Sequence, residues 1–242
     1  MRILLWRHGR TAWNELGRFQ GHADPPLDAT GRAQARLVAP AIRALAPDVV
    51  VSSDLLRCRT TAAELGLTVQ ADPRLREISL GEWSGLTARQ AAERFPAEAA
   101  AWHRGEDVRR GGGETYEEVG ARAIGVVEDL VASGLPGDDG LAVLVLHGGT
   151  ARALIGRLLD VPPSTWWHFG PLGNCRWSLL RRSNGRFRLL EHNSGPLAAT
   201  RAVPRTDAPR AASAGPLARA APPTLGASAA PDIEPVHSPS TF

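Results

Sequence analysis

The chain has 242 residues, a formal net charge of +3, and 43% hydrophobic against 22% charged residues. That balance suits a globular protein with room for one α/β domain and a real core. All 28 basic residues are arginine, interspersed with Asp and Glu rather than gathered in a stripe, which points to coding bias and away from nucleic acid. The lack of lysine excludes Schiff-base chemistry and a Walker-type phosphate lysine.

No apolar run approaches a membrane span, and Met1 to Trp6 lacks the length and cleavage site of a signal peptide. Cys58 and Cys175 read as reduced cytoplasmic thiols rather than a disulfide framework or metal site.

Ile3 to Trp6 predicts a short buried strand that stops at Arg7-His8-Gly9. A buried strand ending in a cation, an imidazole and a glycine delivers chemistry to a sheet edge, where open α/β sheets hold their active sites. We read His8 as a nucleophile and Arg7 as a phosphate ligand. Thr11 to Leu16 suits a helical turn that Gly17 stops. Thr11 and Asn14 either cap that turn or, in the case of Asn14, offer an amide to an anion. Asp24-Pro25-Pro26-Leu27 is a rigid turn. A helix is predicted from Thr30 to Leu45, kinked at Pro40.

Asp48 to Val51 predicts a β-branched strand. Ser53 or Asp54 is expected to cap the helix that follows, with Arg57 in its first turn facing the same edge as His8. Out of context Arg57 is a surface residue of an amphipathic helix. Leu67 to Ala71 reads as a strand. Leu75 to Gly85 then carries two candidate carboxylates, Glu77 and Glu82. Thr87 caps a helix from Ala88 to Phe95 that Pro96 closes, and the stretch to Arg110 is expected to cap a pocket.

Gly111-Gly112-Gly113-Glu114-Thr115 opens a helix from Tyr116 to Ser133, with Glu114 either ordering the site or, the preferred reading, favouring the helix dipole. Leu141 to Leu146 predicts a strand buried on both faces. It ends at His147-Gly148-Gly149-Thr150, which opens a helix to Leu159, and helix N-termini favour anions. A second buried strand ending in His-Gly marks His147 as a partner of His8. Pro162 to Phe169 reads as a loop or short helix. Asn174 to Arg181 and Arg186 to His192 flank a hairpin turn at Ser183-Asn184-Gly185, expected to close the sheet edge. From Leu197 onward Ala, Pro, Ser, Gly and Arg dominate and apolar periodicity ends. We therefore expect a folded domain over 1–196 and a disordered tail over 197–242. Trp13, Phe19, Trp83, Trp102 and Trp166 are left between pocket and core.

These motifs, taken in order, resemble the histidine phosphatase (phosphoglycerate mutase-like) superfamily over about residues 2–195. They are Arg7-His8-Gly9 with Thr11 and Asn14, Arg18 to Gly21, Ser53 to Ala62 with Arg57, Leu75-Arg76-Glu77, Gly112 to Thr115, and His147-Gly148. The resemblance implies a three-layer α/β/α sandwich on a mostly parallel central sheet. It implies a metal-independent phosphomonoesterase acting through a phosphohistidine, with no cofactor.

His8, Glu77 and His147 would be catalytic, with Glu77 the proton donor; Arg7, Asn14, Gln20, Arg57 and Gly148 would bind the phosphate. The chemistry agrees, because phosphoryl transfer needs positioning and charge neutralisation, and Arg offers a planar fork that stays charged. Neighbouring Arg charges would keep His8 neutral, with its other ring nitrogen donating to a backbone carbonyl.

Arg110-Gly111-Gly112-Gly113-Glu114 together with Pro171 to Trp177 resembles actinobacterial phosphatases of glucosyl-3-phosphoglycerate. A bisphosphoglycerate-dependent mutase is the alternative, with Arg109-Arg110 for a second phosphate, although Leu75 to Gly85 departs from the mutase pattern. An inactive binding module of the same fold is the third reading. The implied partner is a small phosphorylated metabolite, with no nucleic acid and no membrane; a homodimer stays open.

Overall fold

The computed structural model describes residues 1–196, so the tail expected for 197–242 lies outside the described residues. Six strands form one sheet: β1 (Arg2–Arg7), β2 (Val49–Ser52), β3 (Gln70–Ala71), β4 (Leu141–Leu146), β5 (Trp177–Ser183) and β6 (Arg186–Ser194). Their order is β3-β2-β4-β1-β5-β6. The first four run parallel, and the β5–β6 hairpin adds an antiparallel edge beside β1. The helices are α1 (Ala12–Glu15), α2 (Ala29–Arg43), α3 (Leu56–Ala63), α4 (Ala88–Arg94), α5 (Pro96–His103), α6 (Tyr116–Ala132) and α7 (Gly148–Leu158). None of them is long and apolar enough to cross a membrane.

Strand alternation builds the layers. Ile3 and Leu5 of β1 pack with Val126, Val127 and Leu130 of α6 and Leu154 and Ile155 of α7. Leu4 and Trp6 point the other way, onto Ala35, Val38, Ala39 and Ile42 of α2 and Cys58 and Ala62 of α3. Every residue of β4 is fully buried, which is why its sequence is a continuous apolar run rather than an alternation. A third cluster joins Ile78, Leu80, Trp83, Ala91, Ala99, Val119, Ala153 and Trp166, with Phe19, Phe95 and Trp102 packed against it. Trp83 and Trp166 are thus core residues, at 0% and 2% exposure. Half-buried Trp13 lies against Gly85.

Several local expectations are corrected. Helix α2 begins before Thr30, because Asp28 accepts the Gly31 N–H at 2.7 Å and caps it; Pro40 stays inside the helix. Neither Ser53 nor Asp54 caps α3, whose N-cap position is Leu55. The Leu56 N–H instead donates to Asp24 Oδ2 at 2.6 Å, a cap supplied from the Asp24-Pro25 turn. Pro96 opens α5 rather than only ending α4. The strand expected from Leu67 is reduced to Gln70–Ala71.

The loop after β1 meets α2 backbone to backbone. A Cβ on Gly31 would fall 2.0 Å from the Arg10 carbonyl oxygen, so only glycine fits there.

Candidate active site

In the parallel pairing of β1 with β4, Arg7 lies opposite Leu146, so His8 and His147 leave the sheet at the same level. Their rings are 5.1 Å apart, centre to centre. His8 is 2% exposed. Its Nδ1 lies 2.7 Å from the Gly9 carbonyl oxygen. A carbonyl only accepts, so Nδ1 carries the proton and Nε2 holds a free lone pair. Burial, then the Arg57 and Arg7 charges, hold this imidazole well below 6.5. The loop is fastened to α3 by Thr61, whose Oγ1 accepts from the Gly9 N–H at 3.0 Å and donates to the Arg57 carbonyl at 2.7 Å.

His147 is held differently. Its Nδ1 accepts from Arg57 Nε at 3.1 Å, so Nε2 carries the proton and donates to Ser53 Oγ at 3.0 Å. Burial leads, with Arg57 next, in lowering its pKa well below 6.5. Arg57 is fully buried. It donates to the carbonyls of Ala23 (2.7 Å) and Gly21 (2.9 Å) and to Asp24 Oδ1 (3.3 Å). Arg7 donates to the Leu172 carbonyl and has a buried Nε without a partner. Burial lowers its pKa, with the Glu77 charge opposing. Gly148, the first residue of α7, adjoins the Arg7 guanidinium, since a Cβ there would sit 3.6 Å from Arg7 Cζ.

Glu77 reaches the same helix N-terminus. It accepts from the N–H groups of Gly149 (3.1 Å) and Thr150 (3.0 Å), from Thr150 Oγ1 (3.3 Å) and from its own neighbour Ile78 (3.0 Å). It thereby caps α7, which its N-cap residue His147 does not. Glu82, the other candidate, is turned outward to Arg94 at 2.6 Å.

The segment carrying Glu77 is clamped from α6. Arg122 donates to the carbonyls of Arg74 (2.6 Å), Arg76 (2.8 Å) and Glu77 (3.0 Å) and pairs with Glu114 at 2.8 Å. Glu114 in turn accepts the Ser79 N–H at 2.8 Å. Gly113 allows this approach, because a Cβ there would lie 2.1 Å from the Ser79 oxygen. Glu114 therefore does more than favour the α6 dipole: it orders the Glu77 segment.

Asn14 takes the capping role. Its Oδ1 completes a capping box with the Thr11 N–H (3.1 Å) and also accepts from Asn174 Nδ2 (3.2 Å). Using Oδ1 inward leaves the amide N–H groups as its remaining donors. Gln20 is 8% exposed with its Oε1 buried and unpartnered, next to the Gly21 carbonyl that Arg57 holds. Among the described residues, no three His, Cys, Asp or Glu side chains converge as a metal site would require.

Ser53, Asp24, Thr61 and Arg122 were not singled out as site residues from sequence. Asp24 lay in a turn and Ser53 among cap candidates, but Arg122 carried no signal beyond an arginine on a helix.

A model of the histidine phosphatase superfamily (branch 1) matches residues 3–195. The chain belongs to the histidine phosphatase superfamily. Glucosyl-3-phosphoglycerate phosphatase of Mycobacterium tuberculosis is 39% identical over 188 residues, 74% of this chain and 84% of that protein. Phosphoserine phosphatase 1 of Hydrogenobacter thermophilus is 32% identical over 198 residues, 80% and 92% of the two chains. A solved structure of mycobacterial glucosyl-3-phosphoglycerate phosphatase in complex with VO3 superposes with a TM-score of 0.75 at 38% identity. The match covers 80% of this chain and 98% of that one. In this histidine phosphatase the α/β sandwich brings His8, Arg7, Arg57, Glu77, His147 and Gly148 to one sheet edge.

Proposed function

We propose that this histidine phosphatase is a metal-independent phosphomonoesterase that works through a phosphohistidine on His8, with glucosyl-3-phosphoglycerate as its substrate. The observation that carries the reading is the state of His8. Its Nδ1–H is spent on the Gly9 carbonyl, and Nε2 is a neutral, oriented nucleophile among guanidinium groups. Arg7, Arg57, the Asn14 amide and the Gly148 N–H supply donors for the phosphoryl oxygens.

Attack by Nε2 forms the N–P bond as the P–O bond to the alcohol breaks, and Glu77 gives its proton to the departing alkoxide. In the second step Glu77 takes a proton from water, which attacks phosphorus, and the N–P bond returns its electrons to Nε2. His147 keeps Arg57 in place through its Nδ1.

The substrate assignment draws on the relatives named above and on the Pro171 to Trp177 segment. The mutase alternative needs Arg109 and Arg110 to converge on a second phosphate. Arg109 instead donates to Gly113 and pairs with Glu118. We place the enzyme in the cytoplasm, in keeping with two free, buried thiols.

The deciding experiment is phosphate release without added metal from glucosyl-3-phosphoglycerate, 3-phosphoglycerate, α-ribazole phosphate and an aryl phosphate. Conversion of 3- to 2-phosphoglycerate is followed in parallel. Release favouring the glucosyl ester is expected. Isomerisation dependent on added bisphosphoglycerate, with little phosphate released, would overturn the reading in favour of the mutase.

A further inference from the structure

Arg110 is 3% exposed, and its Nε and Nη2 are buried without a hydrogen-bond partner. A guanidinium taken from water and left unpaired is costly. Among the described residues its charge is met by ring faces, Tyr116 at 5.0 Å and Trp102 at 5.8 Å. A second cation shares that ring: Arg152 lies 5.7 Å from the centre of Tyr116 and 4.7 Å from that of Trp167. Arg152 Nε donates to the Phe169 carbonyl at 3.1 Å. Among the described residues neither arginine has a carboxylate partner, whereas neighbouring Arg109 is paired with Glu118. Two arginines without a carboxylate partner thus lie against one ring.

Its position relates it to the phosphate ligands. Arg152 is four residues beyond Gly148 on α7, so the two share a face of the helix about 6 Å apart along its axis. Gly148 is the residue that adjoins the Arg7 guanidinium. A small ester held at Arg7 by its phosphoryl group can extend along this face to Arg152. Trp167, 41% exposed, is the solvent side of the box.

We propose that Arg110 and Arg152 form a second anion subsite that takes a carboxylate on the alcohol half of the substrate, so that the enzyme selects phosphate esters of hydroxy acids. This rests on the phosphatase reading above, whose glucosyl ester carries such a carboxylate, and adds the residues that select it. A carboxylate lies in the plane of a guanidinium fork. Its single charge is also easier to desolvate between aromatic rings than a phosphate dianion.

The test compares 3-phosphoglycerate with glycerol 3-phosphate, which differ by a carboxylate in place of a hydroxymethyl group. In the wild type kcat/KM should favour 3-phosphoglycerate by about tenfold or more. That ratio should collapse toward one in Arg110→Met and in Arg152→Met. A wild-type ratio near one, or a ratio that both variants leave intact, overturns the subsite.

A second measurement needs no variant: free glycerate should inhibit aryl phosphate hydrolysis competitively while glycerol does not, and equal behaviour of the two also overturns it. If the wild type hydrolyses neither these esters nor glucosyl-3-phosphoglycerate, the phosphatase reading falls. Calorimetric binding of 3-phosphoglycerate against glycerol 3-phosphate then decides the subsite by itself. Carboxylate-dependent binding that Arg110→Met abolishes upholds it, and equal binding of the two ligands overturns it.

Discussion

The ends of β1 and β4 look alike in sequence, an apolar run stopping at His-Gly, yet the structure treats the two histidines as opposites. His8 spends one nitrogen on the carbonyl of the next residue and keeps the other open. His147 spends both, on Arg57 and Ser53. The cause is what each strand faces. His147 lies beside β2 and α3, which bring Ser53 and Arg57 to its ring, while the His8 loop turns toward α2 and is tied by its backbone to Thr61. Equivalent local sequence thus yields one ring with an unspent lone pair and one whose two nitrogens are both engaged.

Removing each ring should separate them most sharply. His8→Ala is expected to lower turnover by about 10⁴-fold or more and to abolish the acid-labile phosphoenzyme. His147→Gln should retain a phosphoenzyme, formed about 10²-fold more slowly. Loss of labelling in His147→Gln together with labelling of His8→Ala would reverse the two roles.

Next in size is Glu77→Gln, which should cost about 10²–10³ in kcat for a sugar or glycerate ester and much less for an aryl ester, whose leaving group needs no proton. Equal losses on both esters would remove Glu77 as the acid.

The two histidines should behave alike in stability, because both pKa values are depressed by burial first. Free histidine titrates near 6.5. As pH falls below that value the unfolded chain takes up protons that native His8 and His147 refuse. Their contribution is therefore complete above about pH 6.5 and declines below it until the depressed native values are reached, by about 1.4 kcal/mol per histidine per pH unit. Denaturant midpoints between pH 7.5 and 5.5 measure the slope, which His8→Ala should reduce by about half. A flat profile in the wild type would contradict the buried neutral pair.

The smallest effect is Ser53→Ala, about 1 kcal/mol of stability through the lost acceptor at His147 Nε2. The corresponding urea midpoint should move while phosphoenzyme formation persists.

What could be read from sequence follows the reach of each interaction. Leu141–Leu146 and the His8 strand were legible because burial on both faces writes a continuous apolar run into the chain. Arg57 and Glu77 were legible through their motifs, but how they are held was not. The cap of α3 comes from Asp24 more than thirty positions away, and the clamp on the Glu77 segment comes from Arg122 in another helix. Hydrogen bonds across such separations leave no periodicity in the chain. The glycines before Glu114 were visible as a motif, but the backbone contacts of Gly113 with Ser79 and of Gly111 with Glu82 and Trp83 needed the fold. Likewise Arg109 and Arg110 stand side by side in sequence, and only packing separates an exposed ion pair from a buried, unpaired cation.

The backbone contact between the β1 loop and α2 carries a consequence for how this protein tolerates change. Replacing glycine by alanine inside a helix ordinarily gains about 0.5–1 kcal/mol, and stabilisation efforts seek out such positions. Gly31 is one by its place in α2, yet the added methyl would lie 2.0 Å from the Arg10 carbonyl oxygen. A residue with no side chain and no part in the chemistry, in another element altogether, thus governs where the loop bearing His8 can lie. In a saturation library Gly31 should prove nearly as intolerant as His8 itself, with inactivity reached through displaced geometry rather than a missing functional group.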